Sequence, residues 1–259
     1  MANIIDKKIN IFGITINPLT MNEAVDYVSG WIKAPEHDCK YIVTPNVNCV
    51  VLLSKHQGYR DAFQQASMVV VDGKPVVWAA RMFGEKIPGT VTGSDLVPAI
   101  FQRFHDEAQH ELKVFLLGAM PGIAELAAGK IEQAYQQVTI TGFYSPPFGF
   151  ENSPDECERI CELISISGAE FLVIGLGAPK QATWVNHYAD KLAVKVAICA
   201  GATIDFLAGK KPRAPKWMSR IGIEWFYRMA TEPKRLTKRY LNDAFVFPKL
   251  VWNEWNKRG

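Results

Sequence analysis

The chain has 259 residues, 48% of them hydrophobic and 21% charged, which excludes disordered, collagen-like and multi-span membrane chains and is long enough to bury one large core. The net charge of +3 hides an asymmetry: residues 1–206 hold 16 Lys/Arg against 22 Asp/Glu, net −6, and residues 207–259 hold 13 against 4, net +9. The longest apolar run, Phe171 to Ala178, has eight residues, far short of the roughly 20 that a spanning helix needs.

The opening segment, MANIIDKKINIF, lacks the apolar stretch and small-residue cleavage site of a secretory signal, so a protein retained in the cytoplasm is expected. Along the chain, β-branched runs predict strands at Ile9–Ile16, Lys40–Thr44, Met68–Val71, Lys113–Leu117, Val138–Phe143, Phe171–Ile174 and Lys195–Ile198. Helix signals fall between them. Thr20 and Glu23 have capping-box spacing and open a helix to about Ile32. Ser94 is the expected cap of a helix reaching about His110, and Pro121 and Pro154 suit first-turn positions. Alternating strands and helices, several strands apolar on both faces, predict an α/β domain with a mostly parallel, Rossmann-like sheet flanked by helices. After Leu207 the strand signal stops, and the rest reads as helices broken at Pro212, Pro215, Pro233 and Pro248. The expected organisation is a core over 1–206 and a basic helical appendage over 207–259.

Five cysteines, odd in number and scattered, suit reduced structural thiols. Cys157 and Cys161 share a helix face if 154–167 is helical, but a zinc site typically wants four ligands. The histidines (His37, His56, His105, His110 and His187) are dispersed, and no Asp-x-Asp pair or ligand cluster occurs. No metal and no cofactor is expected.

Ligands of parallel α/β sheets bind at the carboxyl ends of the strands, so those ends hold the candidates. Met68–Val71 runs into Asp72 and Gly73, which sets a carboxylate at the mouth of the sheet; the plain alternative is a turn-initiating Asp. Thr44, Asn46 and Asn48 follow the preceding strand and face the same mouth; the plain alternative is a helix cap with an X-Pro turn. Three further strand ends are rich in small residues: Gly118 to Gly122, Gly175 to Gln181 with Gly177 and Lys180, and Cys199 to Asp205. Small residues let backbone N–H groups approach a phosphate at a helix start. Neither a dinucleotide fingerprint nor a P-loop lysine motif is present, which disfavours a nicotinamide enzyme, a UDP-sugar epimerase or dehydrogenase, and a simple ATPase.

These pieces recur in one order: TPNVN at 44–48, VDGKPVVWAAR at 71–81, VTGSDL at 91–96, FLLG at 115–118, GLGAPKQ at 175–181, IDFLAG at 204–209, RAP at 213–215, EWFYR at 224–228 and EPKR at 232–235. In this the chain resembles the WecG/TagA/CpsF family of bacterial glycosyltransferases over roughly residues 10–245. The resemblance implies an inverting, metal-independent transfer of a hexose from a UDP-sugar to a sugar on an undecaprenyl diphosphate lipid at the cytoplasmic membrane face. The hexose is N-acetylmannosamine, its uronic acid or glucose. The resemblance also implies roles. Asp72 matches a general base, which would take the acceptor hydroxyl's proton. Thr44, Asn46 and Gln181 match polar pocket positions. Tyr144 and Asp205 match nucleotide-contacting positions, beside the glycines and Lys180. Arg228, Arg235 and Lys238 match basic residues that close over the site and neutralise the departing diphosphate. Two departures bear on the donor. Gly89 and Thr90 stand where the family often has Glu-Arg, and the 145–151 loop reads SPPFGFE. Arg81, a helix away, reads as structural.

Four of the seven tryptophans, Trp217, Trp225, Trp252 and Trp255, lie in the basic tail. Aromatics interspersed with Lys/Arg suit helices at an anionic membrane surface; a tail packed on the core with a solvated basic face is the alternative. The expected partners are a UDP-sugar, an undecaprenyl-diphosphate-linked sugar, the membrane surface and, from the resemblance, further copies of the chain. A rival class is a non-catalytic module gripping single-stranded nucleic acid through the tail, but the body is acidic and carries no nucleic-acid motif.

Overall fold

In the computed structural model, which describes residues 8–36, 38–215, 217–218 and 222–258, the chain starts with a hairpin rather than one strand. β1 (Ile9–Ile11) and β2 (Ile14–Ile16) pair antiparallel. The strand expected over Ile9–Ile16 is interrupted because Phe12 and Gly13 take positive φ, 54° and 75°, a turn whose twist matches the flanking strands. Breaking the run after three residues keeps Ile9, Ile11, Ile14 and Ile16 all buried. α1 (Met21–Lys33) follows, and its capping box is formed: the Thr20 hydroxyl accepts from the Glu23 amide and the Glu23 carboxylate accepts from the Thr20 amide.

β3 (Lys40–Val43), β4 (Met68–Val69), β5 (Leu112–Gly118), β6 (Val138–Tyr144), β7 (Phe171–Gly175) and β8 (Val196–Cys199) form one sheet in the order β4-β3-β8-β7-β5-β6, every pair parallel. Consecutive residues of β7 and β8 alternate between two apolar layers: Phe171, Val173, Val196 and Ile198 on one face, Leu172, Ile174, Ala197 and Cys199 on the other. Both faces are covered, which is why these strands read as continuous apolar runs. α1, α5 (Gly93–Glu107), α6 (Ile123–Ala134) and α9 (Thr203–Leu207) bury side chains in the first layer. α2 (Val47–Leu53), α3 (Gln57–Gln64), α4 (Lys74–Met82), α7 (Pro154–Ser167) and α8 (Lys180–Tyr188) bury theirs in the second. The fold is the expected parallel α/β sheet flanked by helices.

Three expected helix signals are corrected. Thr92, not Ser94, caps α5, because its hydroxyl accepts from the Asp95 amide and donates to the Asp95 carboxylate; the helix ends at Glu107, where Ala108 turns left-handed. Pro121 lies before α6, whose N-cap is the left-handed Gly122, whereas Pro154 does open α7 behind Ser153. Pro248 does not break the tail. It sits inside a helix of 24 residues, forfeiting one backbone bond that packing along the helix offsets.

That tail comprises α10 (Glu224–Thr231) and α11 (Pro233–Asn256). α11 docks on α2 and on the hairpin side of the core: Leu236 is fully buried, Phe247 meets Phe12, Trp255 meets Phe83, and Arg258 pairs with Glu85. Among the described residues no helix is long and apolar enough to cross a membrane. Four of the five free cysteines are buried and Cys39 is half-buried; burial pushes the Cys39 thiol up to about 12 and the Cys161 thiol up to about 11, so both are protonated and unreactive at neutral pH.

Candidate active site

Asp72 stands where β4 gives way to α4. Its amide donates to the Pro45 carbonyl at 2.9 Å, and Gly73, at φ 119°, turns the chain into the helix. The carboxylate forms part of the wall of a cavity of about 340 Å³. α2 contributes Asn46 and Asn48, the 90–95 segment Thr90, Thr92 and Asp95, and the tail Glu224, Trp225, Arg228, Arg239 and Asp243. Burial, then the charges of Glu224 and Asp95, push the Asp72 pKa up to about 7, against the pull of Arg228 and Arg213. A carboxylate so tuned is half deprotonated at neutral pH and strong enough as a base to accept a hydroxyl proton.

Asn46 has two duties. It borders the cavity, and its side-chain oxygen accepts from the Cys49 amide as the cap of α2. Thr44 turns inward, its hydroxyl donating to the Cys199 carbonyl at 3.4 Å. Gln181 accepts from the amides of Gly177 and Gly201, both at 3.2 Å, and so ties the β7 turn to the β8 turn. Of these three, only Asn46 shares the cavity with Asp72.

The glycine-rich strand ends pack against one another at the carboxyl edge of the sheet. The chain leaves β5 toward β6 on one side and leaves β7 toward β8 on the other, so β5/β7 is a topological switch point. There a Cβ on Gly118 would lie 2.6 Å from the Gly175 carbonyl carbon, and a Cβ on Gly175 would lie 3.0 Å from the Gly201 carbonyl oxygen. Only glycine permits that approach, because the space a Cβ would need is filled by neighbouring backbone and, at Gly175, by the Ile204 side chain. The flanking side chains already have partners. The Tyr144 hydroxyl donates to Glu156 at 2.5 Å. Lys180 pairs with Glu151 and lies over the Phe148 ring, so the SPPFGFE loop folds onto it. Asp205 pairs with Lys211 at 3.6 Å.

The tail cations divide. Arg228 lines the Asp72 cavity and sits over the Phe206 ring on α9. Arg235 is exposed and bonded to Glu232, which also meets Lys211, and Lys238 is exposed. The tryptophans divide too. Trp225 borders the cavity, Trp252 and Trp255 border an apolar groove beyond it, and Trp217 is exposed. Among the described residues no three His, Cys, Asp or Glu side chains group as metal ligands.

Sequence reasoning missed Lys74, Arg239 and Asp243, which all line the cavity. Asp243 is only 4% exposed, and neither carboxylate oxygen makes a hydrogen bond of normal geometry, although Asn242 and Arg239 stand nearby. Burial raises its pKa against the pull of Arg239. The Arg239 Nε is likewise buried without a partner. The signal was available: Arg239, Asp243 and Phe247 recur at four-residue spacing and so share one helix face.

A buried, tuned carboxylate beside cationic groups, at the carboxyl ends of a parallel sheet whose glycine turns meet at a switch point, marks an α/β enzyme. The model of the Glycosyl transferase WecG/TagA/CpsF family matches residues 9–259, and the chain belongs to this family of glycosyltransferases. It is similar to proteins of Staphylococcus aureus strains MRSA252, NCTC 8325 / PS 47 and COL, each named N-acetylglucosaminyldiphosphoundecaprenol N-acetyl-beta-D-mannosaminyltransferase. Identity is 28% over 240 residues, covering 93% of this chain and 91% of each relative.

Proposed function

We propose that this glycosyltransferase transfers N-acetylmannosamine from a UDP-sugar to the N-acetylglucosamine of an undecaprenyl diphosphate lipid, with inversion and without a metal. The observation that carries the reading is Asp72, a single carboxylate raised to about 7 in a cavity shared with Arg228. The relatives' names supply donor sugar and acceptor. An acceptor hydroxyl gives its proton to Asp72 as its oxygen attacks the anomeric carbon, and the bond to the UDP oxygen breaks on the opposite face. One displacement inverts the centre. The leaving diphosphate gathers negative charge, which Arg228 meets directly and Arg235 and Lys238 meet as the tail closes. The nucleotide lies over the strand ends at Gly118, Gly175 and Gly201, which Gln181 braces, with Tyr144, Lys180 and Asp205 around it. Side-chain cations fill the part a divalent ion would otherwise play. The protein works as a peripheral enzyme on the cytoplasmic face of the membrane, held by the basic tail and its tryptophans, and self-associates.

A second donor, glucose, is favoured by one observation: Thr90, at a position where the family often has arginine, lines the cavity. The deciding experiment offers the purified protein UDP-N-acetylmannosamine, its uronic acid, UDP-glucose and UDP-N-acetylglucosamine with a short-chain N-acetylglucosamine diphosphate lipid, and measures UDP release. Release from UDP-N-acetylmannosamine alone is expected; release from UDP-glucose alone overturns the donor assignment.

A further inference from the structure

We propose that the groove between α4 and α11 holds the first isoprene units of a polyisoprenyl diphosphate acceptor, which enter it from the Asp72 cavity. The inference rests on the acceptor class just proposed and adds where its lipid lies.

The groove has a volume of about 500 Å³, with Trp78 and Met82 on one wall and Val251, Trp252 and Trp255 on the other. Its lining residues include no charged or amide side chain. It is not separate from the catalytic cavity, because Pro75, Phe247 and Pro248 line both. From that shared end the two walls run outward in step. On α4 the lining positions are Pro75, Trp78, Ala79 and Met82, and on α11 they are Phe247, Pro248, Val251, Trp252 and Trp255. From Pro75 to Met82 and from Phe247 to Trp255 there are seven and eight residue steps, which give a groove about 10–12 Å long at about 1.5 Å per step. With C–C bonds of about 1.5 Å, this is the reach of about two isoprene units.

The polar end of such a ligand also has its partners. Lys74 and the first turn of α4 open at the shared end, and Arg239, whose Nε has no hydrogen-bond partner, lies in the same cavity. A diphosphate there is met by cations and by the helix N-terminus. Its sugar then projects toward Asp72 and its chain toward the groove. At the far end Met82 and Trp252 are 60% and 66% exposed, so the chain leaves between apolar lips. The continuity of the groove with the catalytic cavity through Pro75, Phe247 and Pro248 favours a ligand's chain over a bilayer surface or a second copy of this protein, neither of which calls for that continuity.

The test uses the full-length protein without membranes or detergent. Acceptors carry one sugar diphosphate head and a methyl, geranyl or farnesyl tail. We expect kcat/KM to rise at least tenfold from methyl to geranyl and to change little from geranyl to farnesyl. Val251→Asp, on the groove wall, should bring the geranyl-to-methyl ratio near one, and a farnesyl diphosphate bearing a diazirine should label α4 and α11 in the wild type. Equal kcat/KM for all three tails, or labelling elsewhere, overturns the proposal while leaving the reaction intact. Labelling of the groove with no transfer to any acceptor keeps the groove and overturns the reaction. If Val251→Asp weakens liposome co-sedimentation or self-association but leaves the tail-length ratio unchanged, the groove is a bilayer or subunit contact and the proposal fails.

Discussion

Glu224, in the first turn of α10, and Asp72, at the end of β4, line one cavity as like charges, and after burial itself Glu224 is the strongest influence raising the Asp72 pKa. The base must be charged to work. The acid limb of kcat/KM should therefore have its midpoint near pH 7, where Asp72 titrates, and not near the ordinary carboxylate value of about 3.9. Below the midpoint the rate should fall tenfold per pH unit. Glu224→Gln removes a like charge and should move the midpoint down; Arg228→Gln removes an opposite charge and should move it up. Initial-rate profiles of the three proteins measure this, and three coincident limbs would show that Asp72 is not the titrating base.

Asp72→Asn should lower turnover by about 10²–10⁴-fold, the usual scale for a general base. UDP affinity, read by calorimetry, should hold. The fold should also hold, because an amide replaces a carboxylate that burial already disfavours. Wild-type turnover in the variant would reduce Asp72 to a turn residue.

Arg228→Ala should cost more than Arg235→Ala. Arg228 lines the cavity, whereas Arg235 is bonded to Glu232 and exposed. Loss of a donor aimed at developing charge costs about 10²–10³ in kcat. Arg235 must first leave Glu232, so its removal should cost no more than about tenfold. Both variants should still sediment with anionic liposomes, since the rest of the basic tail remains.

Turnover should persist in excess EDTA, because the proposed mechanism assigns the diphosphate charge to side chains. Loss of activity in EDTA and its return with Mn²⁺ or Mg²⁺ would count against that assignment.

Asp243→Asn should stabilise the protein at pH 7–8. The folded state holds this carboxylate buried, without a hydrogen bond of normal geometry, and burial raises its pKa. The folded state therefore binds the proton more tightly than the unfolded chain. Wild-type stability suffers at pH above the raised pKa and recovers as pH falls through it. The variant removes the buried negative charge and not the polar group, and each kcal/mol gained is worth roughly 2–4 °C in Tm at this size. The gain should fade on acidification, and a Tm difference that does not change with pH would refute the account. Gly118→Ala should act in the opposite direction. Its new Cβ would fall 2.6 Å from the Gly175 carbonyl carbon at a residue with φ 114°, so stability and UDP binding should both drop.

The sequence by itself determined whatever depends on near neighbours. Alternating apolar residues set the strands of the sheet, Thr20 and Glu23 fixed the start of α1, and the short run after Met68 put Asp72 at a strand end. The ordered motifs carried the family. The sequence did not show the Phe12–Gly13 turn, because its bulky first residue hides a left-handed backbone, nor that α11 runs through Pro248, because the local penalty of proline is offset by contacts elsewhere. Tertiary structure decided which strand ends meet. It brought Gly118, Gly175 and Gly201 together at a switch point and left Thr44 and Gln181 outside the Asp72 cavity. It also brought Arg239 and Asp243 to Asp72, because the apolar face of α11 is buried only by docking on α2 and the hairpin, and Arg228 with them, because α10 packs on α11. The pKa of Asp72 is set first by burial and then by charges that share no local sequence with it. Desolvation and Coulomb forces act through space, so they exist only once the chain has closed around them.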